Sequence, residues 1–328
     1  MSFLLSVENL SLSYGSVPAL VGISFRIERG ERLVIVGESG SGKSSLALAV
    51  MRLLPRQARV TAGAIRFRAA DGMVHELAVA GAAALRELRG KEIGMVFQEP
   101  MTSLNPVYRV GDQIIEALRF HESVPRAKAR ARAVALLGQF GVPDPERRME
   151  AFPHELSGGL RQRAMIALAL VCNPALLLAD EPTTALDVTI QAQILDLLRR
   201  QSIERGMALL FITHHFGVAR EVADRILVLY AGRAVEEGPA AAVIARPLHP
   251  YTAGLLRSVP RLGMTKDEAA LPTIGGGLPD PAHLPPGCVF SPRCPAFRPG
   301  LCDEAEPPVT EPEAGRRVRC FRAAELAA

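Results

Sequence analysis

Apolar and polar positions follow two different patterns over the first 250 residues of this chain. Short apolar runs, such as 33–36 and 176–179, predict buried strands. Longer amphipathic stretches between such runs, such as 45–54 and 159–171, predict helices. Strands that alternate with helices in this way are typical of an α/β domain with a parallel sheet.

The pattern changes near residues 250–260, where periodicity fades and proline becomes frequent. Of the 25 prolines in the chain, 12 follow residue 250. Proline cannot donate a backbone hydrogen bond and is disfavoured inside helices and central strands. We therefore predict a domain boundary at this point, followed by a small segment rich in proline and cysteine.

Composition excludes several classes of protein. The net charge of +4 does not indicate a nucleic-acid partner. The longest apolar stretch, 164–172, is shorter than the roughly 20 residues that a membrane-spanning helix needs. The N-terminus lacks the basic start and the small-residue cleavage site of a signal peptide. We expect a soluble, cytoplasmic chain, in which clustered cysteines bind a metal more readily than they form disulfides.

A glycine-rich loop carries the strongest chemical signal. Residues 37–44 read GESGSGKS and match the phosphate-loop pattern G-x-x-x-x-G-K-[ST], between a predicted strand and a predicted helix. In such a loop, backbone N–H groups and the helix N-terminus surround phosphate oxygens. We expect Lys43 to reach the β- and γ-phosphates of ATP and the Ser44 hydroxyl to ligate Mg²⁺. The predicted ATP-binding residues of this loop are Gly37, Glu38, Ser39, Gly40, Ser41, Gly42, Lys43, Ser44 and Ser45.

Two acids follow the apolar run at 176–179. Because ligands of parallel sheets collect at the carboxyl ends of the strands, Asp180 and Glu181 are expected beside the bound nucleotide. Asp180 is predicted to hold Mg²⁺ through water. Glu181 is predicted to orient and deprotonate the attacking water.

A second candidate anion site lies at the start of the helix predicted over 159–171. Ser157 is a favourable N-cap, and Gly158 and Gly159 leave backbone N–H groups uncovered. One chain with one phosphate loop needs only one such site. A head-to-tail dimer, in which each cap closes on the phosphate held by its partner, explains the second.

The stretch around this second site resembles a known motif. LSGGLRQR, at 156–163, looks like the signature motif of the nucleotide-binding subunits of ABC transporters, and further motifs of that family follow in order between about residues 3 and 257. The resemblance implies that Tyr14 stacks on adenine. It also implies that Gln98 contacts Mg²⁺ and senses the γ-phosphate, and that His214 is the switch histidine.

The same resemblance implies the domain organisation. We expect a P-loop, ABC-type nucleotide-binding domain over 1–255, with a helical signature subdomain at about 100–170, and a C-terminal extension over 256–328. ALD, at 185–187, matches the D-loop of the family. One position departs from the pattern, because His215 stands where the family usually has an acid.

Three further segments point to one branch of the family. FQEPMTSLNP at 97–106, RPLHPYTAGLLRSVP at 246–260 and GCVFSPRCPAFRPGLC at 287–302 resemble segments of the ATPases that power dipeptide and oligopeptide importers. The resemblance implies an ATP hydrolase that drives uptake of peptides or of a related small solute. The solute itself is not specified by this chain, because selectivity is expected in other subunits.

Partners and location follow from the same resemblance. It implies two transmembrane permease subunits, a sister ATP-binding subunit in a heterodimer or a second copy in a homodimer, and an extracytoplasmic solute-binding protein that acts indirectly. It places the chain peripherally on the cytoplasmic face of the inner membrane, without a nucleic-acid partner. The alternative is a soluble ABC ATPase with a nucleic-acid or sensor role. Such proteins carry long coiled coils or a second cassette, and this sequence shows neither.

Four of the five cysteines lie in the C-terminal segment. Cys288, Cys294, Cys302 and Cys320 are spaced C-x5-C-x7-C-x17-C, without the close C-x2–4-C pairs that are usual in structural zinc sites. The irregular spacing and the surrounding prolines favour a [4Fe–4S] cluster, with Zn²⁺ and free or oxidised thiols as the alternatives. Arg293 is expected to offset the negative charge of such a cluster.

Overall fold

A computed structural model describes most of the chain. The chain divides into two compact units. Unit one comprises Met1–Leu5, Ile27–Glu31 and Arg66–Phe211. Unit two comprises Ser6–Arg26, Arg32–Ile65 and Ile212–Ala328. The described residues are 3–98, 103–183, 186–259 and 273–327.

Strands and helices alternate in the first three quarters of the chain, as the hydrophobic pattern predicts. The strands are β1 (Leu5–Tyr14), β2 (Val17–Ile27), β3 (Arg32–Val36), β4 (Ala58–Arg68), β5 (Val74–Glu76), β6 (Ile93–Val96), β7 (Leu176–Asp180), β8 (Ala208–Thr213), β9 (Arg225–Tyr230), β10 (Arg233–Pro239), β11 (Thr310–Glu313) and β12 (Arg316–Val318). The helices are α1 (Lys43–Val50), α2 (Ala82–Leu88), α3 (Val110–His121), α4 (Arg126–Gln139), α5 (Pro145–Met149), α6 (Gly158–Leu170), α7 (Val188–Arg205), α8 (Phe216–Val222), α9 (Ala240–Ala245), α10 (Pro250–Arg257) and α11 (Ala323–Ala327).

Unit one is built on buried parallel strands. β6 and β7 pair in parallel, with Ile93 opposite Leu176, and β8 is the next neighbour of β7. Every residue of β6 and β7 is buried. Continuous apolar runs of this kind are typical of parallel strands that are covered on both faces. Between β6 and β7 the chain forms α3, α4, α5 and α6, which lie in the region predicted to be helical.

Unit two contains the strand that leads into the phosphate loop. Its neighbouring strands run in the order β11-β12-β10-β9-β3, with β3 parallel to β9 and β9 antiparallel to β10. β9 and β10 form a hairpin, which turns at Ala231 and Gly232, both with positive φ. β12 pairs antiparallel with β10, so the C-terminal segment adds the last strands at this edge. In the smaller sheet β1 lies between β2 and β4.

The helix after the phosphate loop differs in its limits from the pattern-based prediction of 45–54. α1 begins at Lys43 and ends at Val50. It ends early because Arg52 adopts a left-handed conformation, with φ 51°, and because Pro55 follows shortly after. Within the part of the chain that the structure describes, no helix combines the length and the apolar character that crossing a bilayer requires.

Candidate functional site

The loop between β3 and α1 is closely packed against its own unit. A Cβ atom on Gly37 would clash with the carbonyl oxygen of Leu229 and lie 2.7 Å from Ser41 Oγ. Gly42 has φ +102°, and a Cβ atom there would lie 2.9 Å from the carbonyl oxygen of Ala19. Only glycine suits these two positions, as the phosphate-loop pattern requires.

Lys43 and Tyr14 both contact this loop or its helix. The Lys43 side chain is buried, and its Nζ donates to the carbonyl oxygens of Gly37 at 2.8 Å and Glu38 at 2.9 Å. Tyr14 Oη lies 3.0 Å from Ser45 Oγ. The predicted adenine-stacking residue and the predicted phosphate-binding residues are therefore neighbours within unit two.

The two acids lie at the carboxyl end of β7 in unit one, where Asp180 is the last residue of the strand and Glu181 follows it. Asp180 is buried, whereas Glu181 is half-buried. Gln98 Nε2 donates to Glu181 Oε2 at 3.5 Å, which brings together two of the predicted site residues. Glu181 has φ 45°, a left-handed conformation that is uncommon outside glycine.

The predicted N-cap of the signature helix is present. Ser157 Oγ accepts a hydrogen bond from the backbone N–H of Leu160 at 3.4 Å, and α6 begins at Gly158. Ser157 and Gly158 are exposed, and a Cβ atom on Gly158 would meet nothing within 4 Å. Gly159 is less open, because its Cβ would lie 3.2 Å from Ile190. The helix start is thus uncovered at its first two positions within the chain.

Two histidines follow β8 directly. His214 and His215 are both exposed, and their ring centroids lie 6.2 Å apart. The backbone N–H of His215 donates to Thr213 Oγ1 at 3.0 Å, and His215 is the N-cap residue of α8. His214 is therefore the first residue after the strand, the position that the family pattern assigns to the switch histidine.

Several parts of the quoted motifs fall outside the described residues. These are residues 99–102 of the segment 97–106, Ala185 of the motif 185–187, and Pro260 of the segment 246–260.

The four C-terminal cysteines line one small pocket in unit two, although up to 32 positions separate them along the chain. We call it the cysteine pocket. All four are free of disulfides, Cys302 is buried, and the other three are half-buried. The remaining lining residues are His249, Pro250, Phe290, Ser291, Ala296, Pro307, Phe321 and Arg322.

Backbone N–H groups near three of the sulfur atoms favour the thiolate forms. They belong to Phe290 and Ser291 for Cys288, to Ala296 for Cys294 and to Arg322 for Cys320, and they act to lower the pKa of each thiol. Burial nevertheless raises the pKa of Cys288 and Cys294, and it raises the pKa of Cys320 to about 11. These thiols thus keep their protons at neutral pH unless a metal displaces them.

The structure bears on two expectations about this pocket. Across the described ranges, no group of three or more His, Cys, Asp or Glu side chains is arranged to hold a metal ion. The expectation that the charge of Arg293 would offset that of a metal cluster is wrong. Its guanidinium binds the carboxylate of Glu38, with Nη1 at 2.7 Å from Oε2 and Nη2 at 3.0 Å from Oε1. An ion pair of this geometry satisfies the arginine, so its charge is directed at the phosphate loop.

Sequence reasoning missed this contact and a second one beside it. The backbone N–H of Glu38 donates to Tyr251 Oη at 2.9 Å, and Arg293 Nη1 lies 3.4 Å from Tyr230 Oη. The partners of Glu38 are 213 and 255 positions away along the chain. No local pattern carries a signal for pairs at such separations.

Comparison with known proteins gives two family matches within the chain. Residues 20–184 match the sequence model of the family described as "ABC transporter". Residues 235–302 match the model described as "Oligopeptide/dipeptide transporter, C-terminal region". The second match ends at Cys302 and includes three of the four pocket cysteines.

Curated relatives match over nearly the whole chain. A Brucella melitensis protein that bears the name of a peptide import ATP-binding protein is 52% identical over 317 residues, which cover 95% of this chain and 94% of the relative. The oligopeptide transport ATP-binding protein AppD of Bacillus subtilis is 45% identical over 326 residues, which cover 98% of this chain and 97% of AppD.

Solved structures with a similar fold include two ATP-binding cassettes. The dimeric cassette MJ0796, in a post-hydrolysis state bound to ADP and Pi, is 30% identical with a TM-score of 0.63, and the match covers 72% of this chain and 98% of MJ0796. CbiO1 of Clostridium perfringens, part of the ABC transporter complex cbiONQ, is 30% identical with a TM-score of 0.63, and covers 75% of this chain and 92% of CbiO1.

Proposed function

This chain belongs to the ABC transporter family, and we propose that it is the ATP-binding subunit of a membrane importer that hydrolyses ATP to take up peptides. The family and the ABC-type α/β fold predicted from the motifs are thereby confirmed. The observation that carries the choice of an importer is the match to the oligopeptide/dipeptide transporter C-terminal region at 235–302. An ABC domain alone does not distinguish one transported solute from another.

The roles of the nucleotide-binding residues follow the motifs. Lys43 binds the β- and γ-phosphates, and Tyr14, beside Ser45 in unit two, stacks on adenine. The glycines of the loop 37–44 keep backbone N–H groups close to the phosphates, since a Cβ atom at Gly37 or Gly42 would collide with its surroundings. This supports the assignment of the whole loop as the ATP site.

Asp180, Glu181 and Gln98 have separate roles. We assign Ser44, Gln98 and Asp180 to Mg²⁺, because hydroxyl, amide and carboxylate oxygens are the ligands that this hard cation takes. When bound, Mg²⁺ neutralises charge on the phosphates. Glu181 accepts the proton of the attacking water, and Gln98, at 3.5 Å from it, orients that carboxylate. His214 acts as the switch residue that contacts the γ-phosphate.

The assembly pairs two ATP-binding subunits with two permeases. The exposed start of α6, at Ser157 and Gly158, fits a role on the nucleotide of a partner subunit. The partner is a sister ATP-binding subunit or a second copy, and closure of the pair drives the permeases between their two states. A solute-binding protein outside the membrane delivers the peptide. The chain itself is peripheral, on the cytoplasmic face of the inner membrane.

Reconstitution tests this function. The chain is assembled with its permeases, its sister subunit and its solute-binding protein in proteoliposomes, and uptake of radiolabelled di- and oligopeptides is measured with ATP inside or outside. We expect uptake that depends on ATP and stops in the Glu181→Gln variant. ATP hydrolysis that no peptide stimulates, together with uptake of a different class of solute, would overturn the assignment.

The cysteine pocket is the candidate site for a [4Fe–4S] cluster, with Zn²⁺ as the alternative. A single zinc ion needs four ligands at about 2.0–2.3 Å from one point, and no such group is present among the described residues. A cluster of four irons is larger, is held by four cysteine thiolates and benefits from hydrogen bonds to its sulfurs. Four cysteines line one pocket, and nearby backbone N–H groups favour the thiolate form of three of them, which agrees with those features. Binding there must displace the thiol protons.

A further inference from the structure

One segment of the C-terminal region reaches the phosphate loop directly. The segment runs from Cys288 to Cys294, includes a 3₁₀ turn at Ser291–Arg293 and contributes both of its cysteines to the cysteine pocket. Arg293, at the end of the turn, forms a two-pronged ion pair with Glu38, the second residue of the loop. All of these residues belong to unit two.

The ion pair is well shielded from water. The side chain of Arg293 is only 5% exposed and that of Glu38 is 30% exposed. A charge-assisted pair in this setting is stronger than a surface pair, because water competes less for either partner. The hydrogen bond to Glu38 raises the pKa of Arg293, so the guanidinium is charged at neutral pH.

Arg293 is itself held in place by several contacts. Its Nε donates to the carbonyl oxygen of Gly275 at 2.8 Å, and its Nη2 donates to that of Ile274 at 3.3 Å. The guanidinium carbon lies 5.7 Å from the centre of the Tyr230 ring. Because these contacts restrict the side chain of Arg293, it can hold the carboxylate of Glu38 in one geometry.

The neighbouring residues join the same assembly. The ring of Phe290, which lines the cysteine pocket, packs on Tyr230 at 5.1 Å and on Tyr251 at 5.4 Å between ring centroids. Tyr251 Oη accepts from the backbone N–H of Glu38. Both the side chain and the main chain of Glu38 are therefore held by groups that adjoin the cysteine pocket.

Glu38 also lies next to the lysine of the loop. Its carbonyl oxygen accepts from Lys43 Nζ at 2.9 Å, beside the bond from Lys43 to Gly37. A rotation of the peptide at Glu38 would move one partner of Lys43 and change the direction of nearby N–H groups. The geometry that binds phosphate thus depends on how Glu38 is held.

We propose that Arg293 is a positioning residue for the ATP site, which holds the phosphate loop through Glu38 and makes nucleotide affinity depend on the folding of the cysteine-bearing segment. Arg293 does not touch the nucleotide in this scheme. The inference rests on the proposed function, in that the loop 37–44 binds ATP. It links the ATP site to the segment that carries two of the pocket cysteines.

Binding of a fluorescent ATP analogue, with Mg²⁺, to the full chain tests the proposal. Arg293→Gln removes the charge, and we expect about tenfold weaker binding, in line with the loss of a shielded charge-assisted hydrogen bond. Arg293→Lys keeps the positive charge but cannot form the two parallel hydrogen bonds of a guanidinium. This variant should therefore retain part of the affinity for the analogue. In the assembled transporter, the KM for ATP should rise more than kcat falls.

A matched control separates positioning from general stability. Arg233 pairs with Glu306 at 2.7 Å in the same unit, and its side chain is 12% exposed. Arg233→Gln removes a comparable ion pair. Among the described residues, the side chain of Arg233 binds Glu306 and the carbonyl oxygen of Ala231 rather than residues 37–44 themselves, so this variant should bind the analogue as the wild type does. Melting temperatures measured without nucleotide show whether either variant is unfolded. Equal weakening by Arg233→Gln and Arg293→Gln would overturn the proposal.

A double-mutant cycle tests the route through Glu38. If Arg293 acts through that carboxylate, the losses of affinity in the two single variants should not add. The double variant Arg293→Gln with Glu38→Gln should then bind the ATP analogue about as well as the weaker-binding single variant. Additive losses, or wild-type affinity in Arg293→Gln, would overturn the inference alone. Failure of the wild-type chain to bind the analogue would instead overturn the assignment of the loop as an ATP site.

Discussion

At the scale of single residues, the backbone of Glu181 is the most unusual feature of the candidate site. This residue follows β7 directly and has φ 45°. A left-handed conformation costs a non-glycine residue on the order of 1–3 kcal/mol and persists only where the surroundings impose it. Such residues concentrate at functional sites. The strain at Glu181 therefore agrees with its proposed role as the group that accepts the proton of water.

We expect Glu181→Gln to bind ATP but to hydrolyse it at least about 100-fold more slowly in the assembled transporter, because an amide cannot accept the proton. Steady-state phosphate release and equilibrium nucleotide binding measure the two effects separately. Glu116→Gln is a suitable control, since Glu116 is an exposed residue of α3 in the same unit. Near-normal turnover in Glu181→Gln would remove this residue from the catalytic role.

At the scale of elements, a buried ion pair links β12, near the C-terminus, to β10 in the same sheet. Arg316 of β12 and Glu236 of β10 are 3% and 0% exposed, and Arg316 Nη2 donates to Glu236 Oε1 at 2.6 Å. The carboxylate of Glu236 also accepts the backbone N–H groups of Leu248 and His249, at 2.8 and 3.0 Å. One carboxylate thus joins β10, β12 and the residues that precede α10.

Arg316→Met should lower the free energy of unfolding by about 3 kcal/mol, because it leaves a buried carboxylate without its cation. Urea unfolding, followed by circular dichroism, measures the change. Arg298→Met is the control, since the pair between Arg298 and Glu325 is about half exposed on both sides, and such pairs contribute at most about 1 kcal/mol. The double variant Arg316→Met with Glu236→Gln should regain part of the loss. An effect of Arg316→Met no larger than that of the control would contradict this account.

The cysteine pocket is also an element-scale feature, and iron content tests it. Anaerobically purified protein should contain about four irons and four sulfides per chain. Cys294→Ser should lose both, because it removes one of the four ligands. Cys172→Ser should keep both, because Cys172 lies outside the pocket. Stoichiometric zinc without iron, or a fully active transporter without metal, would contradict the cluster.

At the scale of the whole molecule, the exposed start of α6 suits the proposed contact with a second chain. Ser157 and Gly158 are exposed and uncovered at the start of α6. An N-terminus of this kind binds anions, and in the proposed dimer the anion is the nucleotide of the partner. In the proposed dimer, the phosphate loop and the signature cap of one chain therefore serve two different nucleotides.

The specific ATPase activity of the isolated chain should fall on dilution, because hydrolysis requires two chains. It should rise again when the sister subunit and the permeases are added. Phosphate release across a dilution series, with the state of association followed by light scattering, makes the comparison. Full activity at concentrations where the chain is monomeric would rule out the shared site.

Much of this protein could be predicted from the sequence, because the patterns concerned are local. A phosphate loop needs glycines, a lysine and a serine at consecutive positions, and buried parallel strands need unbroken apolar runs. The residues that make up each feature lie close together along the chain. Each feature can therefore be recognised from the sequence before the fold is known. The N-cap at Ser157 is predicted for the same reason, and it is present.

The sequence by itself thus determined the family, the strands and helices of the core, and the residue types of the ATP site. The sequence also indicated that the four C-terminal cysteines share one site, and they do line one pocket. Only the tertiary structure decided that Arg293 binds Glu38 rather than facing that pocket. Arg293 and Glu38 are 255 positions apart. Contacts at such separations depend on how whole elements pack, because the energy of an ion pair is set by its distance and its shielding from water, and neither is encoded in the neighbouring residues.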